Sequence, residues 1–244
     1  MESSKVGKYS ILFLVLGICL LILNTGFNGK GENLDAVSKQ KEEAQKEIDM
    51  LKEENKQLKS QNNYLQSVKQ TKNDKNGYLT WPQVETVADA LVQDSGGAFN
   101  KTWALYLVKE SQKYEIDPHL VYELLKVETG GTFDPDLVGP ETKYGRAYGM
   151  GQFMKNTAPW VADMAGLPYK EELLFDPYYS MQLSIIYLDF LHTEYQNWNK
   201  ALTAYHRGMR GLEKYIENNG NAKSWYAVEI LSKADSHQTL ATLQ

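Results

Sequence analysis

The sequence predicts a mainly α protein: an apolar N-terminal segment, a long charged helix, and then one domain built of helix after helix. Three observations carry this reading. Residues 32–69 hold a sustained heptad pattern without Pro, apolar positions after Leu79 recur at helical spacing between Asp-Pro starts and Gly stops, and no run alternates convincingly enough for a strand.

Residues 11–23 are an unbroken apolar run preceded by Lys5 and Lys8, and weaker flanking residues extend it to about the 20 residues that cross a bilayer. The run ends in Asn24-Thr25-Gly26 without a small-x-small cleavage site, and Ile18 precedes Cys19 where a lipoprotein signal needs a small residue. The expectation is an uncleaved signal anchor over 9–27, with a removable signal peptide as the alternative. Lysines ahead of it place residues 1–8 in the cytoplasm and the remainder outside, although Lys30 blunts the asymmetry. Cys19 is the only cysteine, which excludes an intrachain disulfide and a cysteine metal site.

Residues 31–69 read as a coiled-coil stalk. With Leu34, Lys41, Ile48, Asn55, Asn62 and Lys69 at position a, Val37, Ala44, Leu51, Leu58 and Leu65 fall at d. Glu47 and Glu54 then occupy g, and Lys52 and Lys59 occupy e, the pairing expected of a parallel homodimer; a lone helix or disordered stalk is the alternative. Residues 70–78, rich in Lys, Asn and Asp, read as a flexible joint. The globular domain spans 79–233, with helices over 82–93, 101–114, 118–128, 149–154, 159–165, 177–195, 200–218 and 222–233, and a polar, frayed tail over 234–244.

The formal net charge is -5 with no basic stripe, so nucleic acid is not an expected partner. His119, His192, His206 and His237 show no close-spaced ligand pattern and read as surface or helix-end residues, so no metal site is expected.

Glu128 is the most informative residue. In the segment 117–131, Asp117 is the N-cap, Pro118 the first helical residue, and Gly130 and Gly131 the stop. At a period near 3.6, Val121, Leu124, Leu125 and Glu128 share one face, while Glu123 and Lys126 point to water. A carboxylate on a buried face holds its proton to higher pH than a free Glu, as a general acid needs. The alternative is a last-turn Glu turned out to solvent.

Three segments stand in relation to Glu128. They are the run from Glu128-Thr129-Gly130-Gly131 to Pro135, Tyr148-Gly149-Met150-Gly151-Gln152-Phe153-Met154, and Ala201-Leu202-Thr203-Ala204-Tyr205-His206-Arg207-Gly208. In this order they resemble the three signatures of the soluble lytic transglycosylase catalytic domain, over about residues 105–220. The resemblance implies a lysozyme-like helical domain that seats a peptidoglycan strand, with Glu128 as sole catalytic acid and no cofactor. It further implies cleavage of the MurNAc-β-1,4-GlcNAc bond with closure of a 1,6-anhydro ring, and the expected anchor puts that activity on the outer face of the cytoplasmic membrane.

The residues themselves leave alternatives open. Gly149 and Gly151 remove side chains where a sugar ring would approach backbone, and Gln152 offers a donor and an acceptor; equally, the three are a tight helix start with an exposed Gln. Met150 and Phe153 either wall the groove or pack the core. The resemblance places Tyr205 near Glu128, to orient its carboxyl or touch sugar; the alternative is a plain amphipathic Tyr. Tyr144, Tyr148, Tyr178 and Tyr179 offer stacking surface. Two positions depart from the family pattern: Gly151 in the Gly-Leu-Met-Gln-like motif, and His206 where the family usually has Asn, which brings a larger, titratable ring. A hydrolytic muramidase drawing a second carboxylate from Asp134, Asp136 or Glu141, and a non-catalytic glycan-binding scaffold, are the competing functions.

Overall fold

The computed structural model describes residues 32–68 and 77–242, and the chain divides into two compact units, Met1–Lys56 and Gln57–Gln244. Helix α1 (Glu32–Val68) supplies everything described of the first unit. Local pairs one turn apart support it there, with Lys46 Nζ 2.6 Å from Glu42 and Gln45 donating to Asp49 at 3.1 Å. Its heptad residues Val37, Ile48 and Leu51 are exposed. The expected cytoplasmic residues 1–8, the anchor over 9–27 and most of the joint over 70–78 lie outside the described residues. Among the described residues, no helix is long and apolar enough to cross a membrane.

The second unit begins with the last turns of α1 and continues through α2 (Gly77–Asp94), α3 (Lys101–Lys113), α4 (Pro118–Glu128), β1 (Ala147–Tyr148), β2 (Phe153–Met154), α5 (Ala158–Ala165), a 3-10 turn (Glu171–Phe175), α6 (Pro177–Tyr195), α7 (Trp198–Arg207), α8 (Met209–Asn219) and α9 (Trp225–Thr242). Caps set several starts: Asn100 accepts from the Trp103 amide at 3.0 Å, Asp117 from His119 at 3.0 Å and Asp176 from Tyr179 at 2.8 Å. Asp117 and Asp176 each precede a Pro that suits the first helical position.

Helix α6 is the axis of this unit because it is apolar on nearly every side, the pattern of a helix buried all round. Met181, Ile185 and Leu188 join a core made by α2, α3, α4 and α9. Leu183, Ile186, Tyr187, Phe190 and Leu191 join a second core made with α5, α7 and α8. The end of α1 is tied to this unit: Trp160 donates to Gln61 at 3.0 Å, Gln61 donates to Asp163 at 2.9 Å, and the Tyr64 hydroxyl bonds Asp189 while its ring meets Phe190 edge-on.

Four expected elements differ. The helix expected over 149–154 is a turn joining two short antiparallel strands, with Ala147 opposite Met154 and Tyr148 opposite Phe153. The helix over 200–218 is two helices, broken at Gly208, whose φ of 74° and ψ of 162° no helix accommodates. The first helix of the domain starts earlier than expected, at Gly77, with Pro82 inside it. The tail expected to fray from Ala234 continues α9 to Thr242, because Ala234 is buried in the first core and His237 is half-buried beside Glu123.

Gly149 explains why the segment turns. Its φ is 71°, and a Cβ there would lie 1.8 Å from the Leu174 carbonyl oxygen. Substituting Gly149→Ala is expected to cost about 3 kcal/mol of folding stability, since both the dihedral and the backbone contact must give. Urea unfolding measures this, and a variant as stable as wild type would remove the packing explanation for this glycine.

Candidate active site

Helix α4 ends where the glycines predict. Its stop is a Schellman arrangement: the Gly131 amide donates to Lys126 O at 2.7 Å and the Gly130 amide to Val127 O at 3.3 Å, with both glycines at positive φ. Thr129 locks the exit, its hydroxyl donating to Leu125 O at 2.8 Å and accepting from the Phe133 amide at 3.1 Å. Phe133 is then buried against Phe99 and Tyr122. The last helical residue, Glu128, is thereby held in a fixed orientation.

Glu128 keeps part of its surface accessible, while Val121, Leu124 and Leu125 on the same face are fully buried. Burial pushes its carboxyl up to about 7, partly offset by a hydrogen bond from Tyr226 that favours the anion. That bond runs from the Tyr226 hydroxyl to Glu128 Oε1 at 2.5 Å. Tyr226 lies at the start of α9, is buried, and has its own hydroxyl held far above the usual tyrosine range by that burial and by the neighbouring Glu128. It lies outside the three sequence segments that stand in relation to Glu128.

His206 stacks on Tyr226, with ring centroids 4.7 Å apart and planes within 6°, and burial keeps its imidazole below the ordinary histidine range, with Arg207 adding to the effect. Trp225, 57 % exposed, packs edge-on against both rings. An exposed indole, an imidazole and a buried phenol thus form one aromatic cluster beside the acid.

The other expected site residues take these places. Tyr205, half-buried at the end of α7, donates to Gly151 O at 3.0 Å and lies 3.1 Å from the Ser184 hydroxyl. It is close enough to Glu128 for that carboxylate to add to the effect of burial in raising its hydroxyl. Its role is to tie the 149–152 turn to α6 and α7. Gln152, at a φ of 48°, donates to Gly149 O at 2.8 Å and to Leu137 O at 3.3 Å, so its amide braces the loop. Met150 is fully buried in the first core and Phe153 is buried in the second, so both pack the interior. A Cβ on Gly151 would lie 2.4 Å from Ser184 Oγ, so protein packing accounts for this glycine as it does for Gly149.

Tyr179 is buried and donates to Pro168 O at 2.9 Å, whereas Tyr144 and Tyr178 are exposed and Tyr148 is half-buried. Asp134 accepts from the Asp136 amide at 2.9 Å, and Glu141 pairs with Arg146 at 2.8 Å. The expectation that Glu123 points to water is corrected: it is 1 % exposed, because α9 covers that side of α4 and His237 Nε2 lies 2.7 Å from its Oε1. Lys126 is half-buried and pairs with Asp94 at 2.5 Å.

A sequence profile described as the transglycosylase SLT domain matches residues 106–228, just over half of the chain. Solved structures similar to it include two lytic transglycosylases. Lytic transglycosylase Slt from Pseudomonas aeruginosa, an inactive mutant, aligns at 18 % identity and a TM-score of 0.46, covering 73 % of this chain and 37 % of its own. The 70 kDa soluble lytic transglycosylase of Escherichia coli aligns at 15 % identity and a TM-score of 0.45, covering 64 % of this chain and 30 % of its own. The chain therefore spans about a third of the length of each. No curated protein sequence matches it.

Two outcomes follow from the acid and its tyrosine. The folded carboxyl, near 7, keeps a proton that the unfolded chain loses near 4.5. Its stabilising contribution is complete below about 4.5 and is lost as pH rises through 7. Between pH 5 and 8 wild type should lose about 2 to 3 kcal/mol relative to Glu128→Gln; parallel stability curves for the two would contradict the shifted carboxyl. Tyr226→Phe removes a hydrogen bond that favours the anion, so the alkaline midpoint of the pH–rate profile should move upward, by on the order of one pH unit. A midpoint that stays or falls would separate Tyr226 from the acid.

Proposed function

The chain belongs to the transglycosylase SLT domain family, and from that premise we propose that it is a peptidoglycan lytic transglycosylase with Glu128 as its acid and base. The observation that carries the reading is the Glu128 carboxyl, raised to about 7 and hydrogen-bonded by Tyr226. Near neutral pH about half of the molecules hold the proton, the condition in which one group serves both roles.

With Oε1 engaged by Tyr226, Oε2 carries the transferable proton. It passes to the glycosidic oxygen between MurNAc and GlcNAc, the C1–O bond breaks, and the GlcNAc O4 leaves as a hydroxyl. The carboxylate left behind takes the proton from the muramyl C6 hydroxyl as that oxygen closes onto C1. The new C1–O6 bond gives a 1,6-anhydro end, Glu128 is protonated again, and no water is consumed. An intramolecular nucleophile supplies the effective concentration that a second carboxylate and a water would otherwise have to provide.

The competing hydrolytic reading draws on Asp134, Asp136 or Glu141. Asp134 caps its own turn, Glu141 is paired with Arg146, and Asp136 is exposed. Burial and Tyr226 account for the Glu128 shift without a neighbouring carboxylate. Exposed Trp225 offers a flat face to sugar beside the acid, and His206, in the place of the family's usual Asn, holds Tyr226 by stacking. Gly149, Gly151, Gln152 and Tyr205 shape and fix the adjoining loop.

The same proposal places the enzyme on the outer face of the cytoplasmic membrane, anchored by residues 9–27 and paired through the α1 stalk. The Lys-flanked apolar run supports the anchor. The exposed seam residues Val37, Ile48 and Leu51 support a parallel homodimer.

Digestion of purified sacculi followed by mass spectrometry of the products tests the chemistry. Wild type should release anhydro-ended muropeptides, and Glu128→Gln should reduce the rate by on the order of a hundredfold or more. Reducing ends alone would assign hydrolysis, and equal turnover by the two proteins would remove Glu128 from the reaction.

A further inference from the structure

Outside the candidate active site, ligand-type atoms from three helices converge where α2, α4 and α9 pack. Asp94 ends α2, Glu123 lies midway along α4, and His237 lies in the last turns of α9; one ligand atom from each falls within 4.8 Å of the others. Glu123 is the centre of the group. It is 1 % exposed, its Oε1 is 2.7 Å from His237 Nε2, and its Oε2 is buried without a hydrogen-bond partner among the described residues. Nearly all buried polar atoms find a partner, so a buried carboxylate with one oxygen unpaired keeps acceptor capacity that a cation can use.

We propose that Asp94, Glu123 and His237 form a binding site for one divalent transition-metal ion of the zinc class. An imidazole nitrogen with two carboxylate oxygens suits zinc and its first-row neighbours better than calcium or magnesium, which take oxygen ligands alone. The His237 ring is already oriented, stacked on His119 at 5.1 Å and set edge-on to Tyr122 at 5.9 Å. Such outer contacts are what fix a ligating imidazole.

Lys126 is the competitor for the same place. Its ammonium lies 2.5 Å from Asp94 Oδ2 but 3.8 Å from Glu123 Oε1, so it satisfies the first carboxylate and only approaches the second. The ion takes over the ammonium's position, and the flexible, half-exposed lysine stem moves to water. The metal then clamps α9 to α4, the two helices that carry Tyr226 and Glu128, so its role is to hold the catalytic pair in register. Metal binding at the site does not depend on which reaction Glu128 performs. The sequence conceals it because its ligands come from helices far apart in the chain, and Glu123 reads there as a solvent-facing residue.

The test uses the untagged full chain in mild detergent, stripped with a chelator and titrated with zinc chloride by calorimetry. Thermal unfolding is followed with and without the metal. The site predicts one zinc per chain and a melting temperature higher by several degrees at saturation. His237→Ala, near the end of α9, and Asp94→Asn, at the end of α2, should each weaken binding at least about tenfold and abolish the thermal gain. Lys126→Ala should tighten binding by about tenfold, because it removes the competing charge. A purely structural charge network would give instead only a less stable protein. Absence of stoichiometric zinc in wild type, zinc binding that survives His237→Ala unchanged, or weaker binding in Lys126→Ala would each overturn the proposal.

Discussion

A hydrogen bond of 2.5 Å between the Tyr226 hydroxyl and Glu128 Oε1 joins the two helices that make the site, and much of the second unit can be understood as its support. Burial alone would drive the carboxyl far toward its neutral form. One donor aimed at one oxygen returns part of the anion's stability and leaves the group poised near neutral pH, the range that the proposed acid-and-base role requires. The opposition between desolvation and a single hydroxyl is thus the quantity the fold controls.

The control is exercised through rigid parts. The glycine stop and the Thr129 hydroxyl fix the end of α4, and α6, with apolar residues toward both cores, fixes the framework on which α7 and α9 lie. Tyr205 then ties the 149–152 turn to this framework through Gly151 O and Ser184. Gly149 permits the turn to lie against the Leu174 carbonyl, where a side chain would collide. The signature residues around the acid therefore act in large part on the protein itself: they hold a loop at a fixed place beside Glu128.

What the sequence made legible is local. Asp-Pro starts, glycine stops and the shared face of Val121, Leu124, Leu125 and Glu128 depend on residues within one helix, and these features appear as read. What it concealed is long-range. Tyr226 stands 98 positions from Glu128 in the chain and reads as one more aromatic on an amphipathic helix. Glu123 reads as solvent-facing when α4 is given one buried face, whereas every residue from His119 to Leu125 is buried. The 147–154 turn lacked a strand signal because its strands are two residues long, and the Gly208 break was hidden by helix-forming residues on both sides. An internal cue existed for one of these: an aromatic pair, Trp225-Tyr226, opening a helix after the third signature, where an acid-bearing domain has use for a buried hydroxyl.

Direct titration of the Glu128 carboxyl tests the central claim most closely. Carbon-13 NMR of side-chain carboxyl groups, compared between wild type and Glu128→Gln, should show one resonance that titrates near 7 and is missing from the variant. A Glu128 resonance titrating near 4.5, the ordinary carboxyl value, would contradict an acid held protonated by burial and restrained by Tyr226.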